Sequence, residues 1–374
     1  MNLTICRIMK TLCAFAVAAL LAACGASSTV KPFSPTRVIG LGDAYNDVGS
    51  SGSRFTVRGT LEVATVVEQL GAYFGVGSLS TYVDAGIYVG NPVSGSRNQM
   101  PTTAGIYSYA VAGSTISGGT GSNSLADQIN LALADVGGNF SDNDLIVIST
   151  GTWDIVNQTI RDKNSDNQLS IQTTGDAYTT LIESLLAHNA KHVLVMQPLE
   201  VATTPFGYAA GTYPTAVASD FTNYVKASLQ TYVSRQGLTT NPIIFGAAGL
   251  SSDFNIYTSI SPAAVGIFTG GSNNTIVYPS YSVMDGTSVP YCINSAQTAN
   301  FSATVSSSSN AGLTNIISSP VLAANFAGCT TINNDTTNTT FYDSTLFADG
   351  LNLTPAGNRW VAGYLYNATA QGWR

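Results

Sequence analysis

Two spacings of apolar residues alternate along most of the chain. Segments of strand length with an apolar centre occur at residues 37–42, 144–150, 192–197 and 242–245. Apolar residues at helical spacing occur at residues 60–74, 124–136, 177–188, 215–235 and 356–370. This alternation of strands and helices predicts an α/β domain, with a parallel sheet covered by helices on both faces.

Residues 251–340 interrupt the alternation. The segment is rich in Ser, Thr, Asn and Gly, and its apolar residues show only weak periodicity. We interpret it as a long insertion within a single domain of residues 36–374. After it, Thr354 and Pro355 suit the N-cap and first position of a terminal helix.

Composition then restricts the classes of partner. The 374 residues include 14 Lys and Arg against 21 Asp and Glu, a formal net charge of −7. Such a chain lacks the basic surface that neutralises a phosphate backbone, so we expect no nucleic-acid partner. Only 9% of the residues are charged, against about 25% in a typical soluble protein. A surface hydrated mainly by hydroxyl and amide groups suggests a secreted or envelope protein.

The first residues have the features of a targeting segment. Arg7 and Lys10 precede an apolar run at residues 11–23. This run is too short to span a bilayer but suits the core of a signal peptide. We therefore exclude residues 1–23 from the fold.

A second feature of this segment is the sequence Leu21-Ala22-Ala23-Cys24, which resembles the lipobox of bacterial lipoproteins. The resemblance implies that Cys24 becomes a lipidated N-terminus, followed by a tether at residues 24–35. Membrane attachment would then run through the lipid, and Gly25 favours the outer membrane of a Gram-negative bacterium, on its periplasmic or surface face. An ordinary cleaved signal with a chance cysteine is the alternative.

Cys292 and Cys329 are the two of five cysteines that lie beyond the tether. In an oxidising compartment, a disulfide between them would stabilise the fold by about 4 kcal/mol on the chain-entropy estimate. Two buried free thiols are the alternative. Two cysteines with no neighbouring His cannot form a four-ligand zinc site, and we expect no metal or cofactor.

Four sequence blocks carry the candidate chemistry. A dinucleotide-binding fingerprint needs its third glycine at the position of Tyr45. The first block is therefore not a dinucleotide-binding motif. Instead, the blocks resemble, in order, those of GDSL (SGNH) hydrolases. They read Gly42-Asp43-Ala44-Tyr45-Asn46-Asp47-Val48-Gly49, Tyr109-Ala110-Val111-Ala112-Gly113-Ser114, Gly151-Thr152-Trp153-Asp154 and Asp349-Gly350-Leu351-Asn352-Leu353-Thr354-Pro355-Ala356-Gly357.

The resemblance implies a three-layer α/β/α, flavodoxin-like fold with its site at the carboxyl end of the first strand. It also implies acyl transfer from an ester. In that chemistry a Ser attacks the carbonyl, a His takes the proton and an Asp orients the His. Donors from the Ser, Gly and Asn positions hold the oxyanion.

The chain departs from this pattern at three positions. Ala44 occupies the nucleophile position, and a methyl group cannot bond to an acyl carbon. Asn352 occupies the base position, and an amide has no basic site that titrates near neutral pH. Trp153 replaces the Asn of an oxyanion hole whose other positions are Ala44 and Gly113. Gly113 and Asp349 alone retain the family residues.

The remaining polar residues near the blocks are expected to have structural rather than catalytic roles. Asp43 and Asp47 are expected to have a structural role as caps of the following turn or helix. Asp154 and Asp349 are expected to tie the loops of the site together through hydrogen bonds to backbone N–H groups, and a hard-cation site formed by Asp43, Asp154 and Asp349 is the alternative. His188 and His192 are predicted to lie at a helix end and a strand entry, remote from the site. No base is visible beside the nearby serines, Ser50, Ser51, Ser53 and Ser114.

Three functions follow from these observations. The first is an ester-hydrolase (lipase or esterase) homologue that has lost catalysis and keeps a pocket for an ester, lipid or glycan. The second is an active hydrolase with relocated groups, which requires a serine beside a base. The third is a surface adhesion or structural lipoprotein, which an exposed aromatic patch on the insertion would favour.

Overall fold

The computed structural model describes residues 33–50, 64–77, 87–90, 104–117, 124–155, 170–199, 217–238, 240–246, 352–353 and 355–373. The predicted signal peptide and insertion lie outside these residues. So do Cys24, Cys292, Cys329 and Asp349, and the lipidation, disulfide and family-Asp assignments therefore stay predictions.

A single parallel sheet forms the centre of the described structure. Its strands are β1 (Arg37–Gly42), β2 (Ile87–Val89), β3 (Gly105–Ser108), β4 (Asp144–Ser149), β5 (His192–Met196) and β6 (Ile243–Gly246). They pair in the order β2-β3-β1-β4-β5-β6, and every pairing is parallel. Without β2, this is the flavodoxin-like order, in which the second strand lies on one side of the first and the later strands on the other.

The helices cover both faces of this sheet. They are α1 (Val66–Tyr73), α2 (Leu125–Asp135), α3 (Ile171–Ala187), α4 (Val217–Arg235) and α5 (Pro355–Gly372). Helix α5 packs against α1 on one face, and α3 packs against α4 and α2 on the other. The predicted three-layer α/β/α fold is confirmed. None of the described helices is both long and apolar enough to cross a bilayer.

Two of the predicted helix boundaries are wrong, and N-caps explain both. The first helix begins at Val66 rather than at residue 60, because Thr65 forms a capping box in which its N–H donates to Glu68 Oε2 over 2.7 Å. Helix α3 begins at Ile171 rather than at residue 177, because the Ser170 hydroxyl accepts from Thr173 N–H.

Two strands were not predicted from the sequence. Strand β2 has three residues and β3 has four, and such short segments give little signal of a strand in the sequence. They form because β1 supplies a parallel partner for β3, and β3 in turn supplies one for β2. Because both strands depend on pairing with strands that are distant in the sequence, the local sequence pattern does not predict them.

The amino edge of the sheet is held by an ion pair. Arg37 and Asp144 are register partners on β1 and β4, and their side chains form two parallel hydrogen bonds. The Asp144 side chain is fully buried and also accepts from Ser141 N–H over 2.7 Å. The described residues outside the compact unit Ser34–Gly372 are Phe33 and Trp373, whose rings contact edge to face.

Candidate functional site

The first three sequence blocks meet at the carboxyl edge of the sheet. Strand order reverses at β1, because β3 lies on one side of it and β4 on the other. Such a switch point is where open α/β sheets place their binding crevices. Asp43 N–H donates to Ser149 O over 2.7 Å, and Val111 N–H donates to Gly42 O over 3.0 Å. These two bonds bring the loops after β1, β3 and β4 together.

Gly42 allows the close approach of β1 to β4. Its φ is +111°, and a Cβ at this position would lie 1.9 Å from Ser149 O. The Gln128 side chain on α2 holds this glycine from the other side: its Oε1 accepts from Gly42 N–H and its Nε2 donates to Gly42 O. The same Nε2 donates to Ser114 Oγ over 3.0 Å. The backbone ahead of Ala44 is therefore fixed by its partners.

Asp47 joins the first block to the second. Its carboxylate accepts from the N–H groups of Gly49 and Ser50, from the Ser50 hydroxyl, and from Ala112 N–H. Burial raises the pKa of Asp47, although these four donors act in the opposite direction. Asp47 therefore holds the turn that follows it and joins it to the loop after β3, and the Ser50 hydroxyl bonds to its carboxylate.

Ala44 and Trp153 lie in apolar surroundings. Each is 3% exposed, and both belong to one buried apolar cluster with Ala112 and Ile116. A serine nucleophile needs a base and access to substrate, whereas the methyl group of Ala44 has neither. Trp153 packs as a core residue within this cluster.

Asp43 lies beside Ala44 and is completely buried. Its Oδ1 accepts from the Ser149 hydroxyl over 3.0 Å and from Tyr45 N–H over 3.3 Å. Burial raises the pKa of Asp43 from 3.8 to about 7, and the negative charge of Asp154 adds to the rise. The carboxyl therefore exchanges its proton near neutral pH.

Asp154 links the loop after β4 to the loop after β3. Its two oxygens lie 3.2 and 3.1 Å from the Ile116 nitrogen, which donates to them. Asp154 therefore ties these two loops together. In the part of the chain that the structure describes, no group of three or more His, Cys, Asp or Glu side chains is arranged to hold a metal ion.

Gly113 follows β3 in the second block. Its φ of +82° is a conformation that favours glycine, and a Cβ there would meet no atom within 4 Å. Backbone conformation, rather than lack of space, accounts for the glycine at this position.

Asn352 is 4% exposed and precedes α5. A series of bonds places the start of α5 beside the loop after β1: Asn358 Nδ2 donates to Ala64 O, and Val66 N–H donates to Tyr45 O. The fourth block therefore approaches the same edge of the sheet as the first.

The two histidines of the chain lie at the opposite edge. His188 is the C-cap of α3, where its Nδ1 lies 2.7 Å from Ser184 O. His192 is the first residue of β5 and pairs with Leu145, whereas Gly42 pairs with Ser149 four residues further along β4. At about 3.3 Å per residue, that is about 13 Å of strand. Both positions agree with the sequence prediction.

Three residues of this edge were missed by the sequence analysis. Gln128 holds the Gly42 backbone, Ser149 holds Asp43, and the pKa of the buried Tyr178 on α3 is raised by burial and, to a smaller extent, by the charges of Asp43 and Asp154. In the sequence, Gln128 and Tyr178 stand out only as polar residues beside the apolar face of a predicted helix. Ser149 ends an apolar strand and gave no signal of its own.

A separate groove of about 570 Å³ lies between α4 and β6. Its lining includes Lys226 and Asn241 together with apolar residues of both elements. None of the predicted site residues lines it.

Comparisons with known proteins give low similarity. No protein-family model matches the chain, and no curated protein matches it. Among solved structures, a protein described as a GDSL-like lipase from Parabacteroides merdae aligns with 68% of this chain and 92% of its own, at 13% identity and a TM-score of 0.35. An alpha/beta hydrolase enzyme from the metagenome of Lake Arreo, Spain, aligns with 79% and 96%, at 14% identity and a TM-score of 0.34. Because both TM-scores are below 0.5, the fold assignment rests on the strand order and parallel register.

Proposed function

We propose that the chain is a catalytically inactive relative of ester hydrolases that binds an ester, lipid or glycan at the carboxyl edge of its sheet. The observation that carries this proposal is the position of the histidines. The chain has two, and both lie at the amino edge, about 13 Å of strand from the level of Ala44. No His of the same chain is available to activate a nucleophile at that site.

The substitutions at the site support the same conclusion. In a serine hydrolase, loss of the nucleophile or of the base alone lowers kcat about a millionfold. Here the nucleophile position holds Ala44, the base position holds Asn352, and both side chains are buried. Two serines in or next to the blocks are also engaged, Ser50 with Asp47 and Ser114 with Gln128.

Hydrolysis of short and medium acyl p-nitrophenyl esters tests the proposal. The full chain in mild detergent is expected to match the buffer rate, and the double variant Ala44→Ser/Asn352→His is expected to exceed it. Ala110→Ser/Asn352→His is the matched control, because Ala110 is buried at the same edge but lies outside the nucleophile position. Turnover by the unmodified chain well above the buffer rate would contradict the proposal.

We further propose that the protein is anchored in the cell envelope through a lipid on Cys24. The lipobox-like sequence and the short polar segment after it support this. Fractionation of cells should recover the unmodified chain with membranes, while Cys24→Ser releases it. Cys13→Ser, which changes a cysteine inside the signal segment, should stay with membranes. Retention of Cys24→Ser on membranes in its cleaved form would refute the anchor.

A further inference from the structure

Three aromatic rings are clustered where α1 ends beside α5. The centroid of the Tyr366 ring lies 5.6 Å from that of Tyr73 and 5.0 Å from that of Phe74. Tyr73 is 43% exposed, and the other two side chains are half-buried. Single exposed apolar side chains are ordinary on protein surfaces. Here, however, two rings contact a third, and together they form one aromatic cluster that reaches the surface.

The aromatic cluster lies at the amino edge of the sheet. Helix α1 begins at the carboxyl edge, where Val66 N–H donates to Tyr45 O, and it runs back toward the start of the strands. Near its end, Gly71 packs against Ile106, the second residue of β3, because a Cβ on this glycine would lie 2.6 Å from Ile106 Cδ1. The cluster is therefore at the edge opposite the candidate site.

The chain enters the sheet at the same edge as the cluster. Gly105 N–H, at the start of β3, donates to Thr36 O over 3.1 Å, and β1 begins at the next residue, Arg37. Since Gly105 precedes Ile106, short contacts lead from the entry of the chain to the end of α1. Cys24 lies twelve residues before Thr36, and a chain of that length reaches at most about 40 Å. A lipid on Cys24 therefore keeps the amino edge close to the membrane surface.

The end of α1 can enter an apolar environment without leaving its backbone unbonded. Three carbonyl groups of its last turn accept from N–H groups at and beyond the end of the helix: Leu70 O from Phe74, Gly71 O from Val76 and Ala72 O from Gly75. Backbone groups without a partner are costly in a bilayer, where water does not replace the missing bond. The last turns of α1 and α5, residues 70–73 and 369–372, contain no charged side chain that would lose its hydration.

Tyrosine suits the boundary between water and lipid. Its ring is apolar while its hydroxyl forms hydrogen bonds, and tyrosines are enriched at the level of the lipid headgroups. Leu238, the other large apolar side chain exposed in the described part of the chain, lies between the end of α4 and the start of β6. It is therefore at the amino edge as well, and this edge carries both of these exposed side chains.

We propose that the aromatic cluster of Tyr73, Phe74 and Tyr366 contacts the headgroup region of the bilayer, with the amino edge of the sheet facing the membrane. This proposal rests on the lipid anchor at Cys24 proposed above. The tether limits the distance between the sheet and the bilayer, and the rings set the orientation. The carboxyl edge then faces the aqueous phase, so a ligand of the candidate site arrives from water rather than from the same bilayer.

Fluorescence of a polarity-sensitive bimane probe tests the contact. The lipidated full chain is reconstituted into vesicles of phosphatidylethanolamine and phosphatidylglycerol that contain a lipid spin-labelled at its headgroup. The probe is attached through Tyr73→Cys, or through Ala370→Cys, an exposed position one helical turn beyond Tyr366 that leaves the three rings in place. We expect the emission of both probes to shift to shorter wavelength and to be quenched by the spin label.

Gln172→Cys is the matched control, because Gln172 is exposed in the first turn of α3, at the carboxyl edge. Its probe should keep the emission that it has in water and should escape quenching. The unmodified chain, labelled in parallel, gives the background from the other cysteines. Tyr73→Ser in the Ala370→Cys chain should reduce the quenching of that probe, because one of the contacting rings is lost.

The outcomes separate the contact from the anchor. Mass spectrometry of the reconstituted chain shows whether Cys24 carries a lipid, and an unlipidated Cys24 would refute the anchor and the contact together. On a lipidated chain, equal or absent quenching at positions 73, 172 and 370 would overturn the contact while the anchor stands. A shift at position 73 without quenching would overturn it too, and would indicate a protein partner such as a second copy of this chain.

Discussion

At the scale of single residues, polar side chains hold the backbone of the loop that carries Ala44. Gln128 bonds to the N–H and C=O of Gly42, and the Asp47 carboxylate accepts from the N–H groups of Gly49 and Ser50. The side chain at position 44 contributes only a methyl group to the apolar cluster. The loop at the switch point of the sheet is therefore ordered by its polar partners, whichever side chain stands at position 44.

Asp43→Asn is expected to alter the pH dependence of stability. Because burial raises the pKa of Asp43 from 3.8 to about 7, the folded state holds this proton more tightly than the unfolded state. The contribution of Asp43 to the free energy of unfolding therefore falls as pH rises through that window and levels off above about 7. Asn does not titrate, so the variant should gain roughly 2–3 kcal/mol on wild type between pH 5 and pH 8.

Urea unfolding at the two pH values measures this difference. Asp220→Asn is the matched control, because Asp220 is exposed in the first turn of α4. Its stability should follow wild type at both pH values. Parallel behaviour of Asp43→Asn and wild type would show that Asp43 is not protonated in the folded state.

Trp153→Ala is expected to destabilise the fold by about 3–5 kcal/mol, because the ring is almost completely buried and its removal leaves a cavity. Trp153→Phe should cost less. Tyr73→Ala, which truncates a ring that is 43% exposed, should have a small effect. Chemical denaturation of each variant would measure these changes in the free energy of unfolding. A loss below 1 kcal/mol for Trp153→Ala would mean that the ring does not fill the edge of the sheet.

At the scale of elements, polar caps decide where the helices begin. On α2, Ser124 Oγ accepts from Asp127 N–H over 3.1 Å, while Asp127 Oδ2 accepts from Ser124 N–H over 3.3 Å. These reciprocal bonds satisfy two backbone donors of the first turn. Helix α2 also carries Gln128. The residue at which the helix begins therefore determines where the Gln128 side chain meets the backbone of Gly42.

Ser124→Ala should therefore reduce the free energy of unfolding by about 1 kcal/mol. The exposed Ser234 of α4, whose hydroxyl bonds only to Gln230 O one turn earlier, is the matched control. Ser234→Ala should stay within about 0.5 kcal/mol of wild type. Equal effects of the two substitutions in chemical denaturation would show that the capping box is not formed.

Prediction from sequence succeeded where an element carries its own signal. The bounds of β1 and the start of α2 follow from an apolar run and from Ser124, respectively. Strands β2 and β3 were missed because neighbouring strands, not their own residues, define them. At the carboxyl edge, Gln128 and Ser149 became visible only once the fold brought them to Gly42 and Asp43, because their partners lie far away in the sequence.

At the scale of the whole molecule, the sheet separates two kinds of polar group. The amino edge holds the Arg37–Asp144 pair and both histidines, and the carboxyl edge holds Asp43 and Asp154. The ion pair joins adjacent central strands and fixes their register. Basic groups of the sheet therefore lie away from the candidate site.

Substitutions in the Arg37–Asp144 pair test whether it stabilises the pairing of β1 with β4. Arg37→Leu leaves a buried carboxylate without its cation, and we expect a loss of about 2–3 kcal/mol because Arg37 itself is partly exposed. Arg37→Leu/Asp144→Leu should be less destabilised than the single variant. Lys191→Leu, an exposed cation at the same edge, should change little. A double variant at least as unstable as the single one would contradict the account.

The central claim is that the folded chain contains no activated serine, and labelling with a fluorophosphonate tests it most directly. Intact-mass spectrometry of the full chain should show no adduct, because Ala44 cannot react and both histidines lie at the opposite edge. Ala44→Ser/Asn352→His is expected to gain one adduct, mapped to position 44. A stoichiometric adduct on a serine of the unmodified chain would contradict the claim and identify the nucleophile.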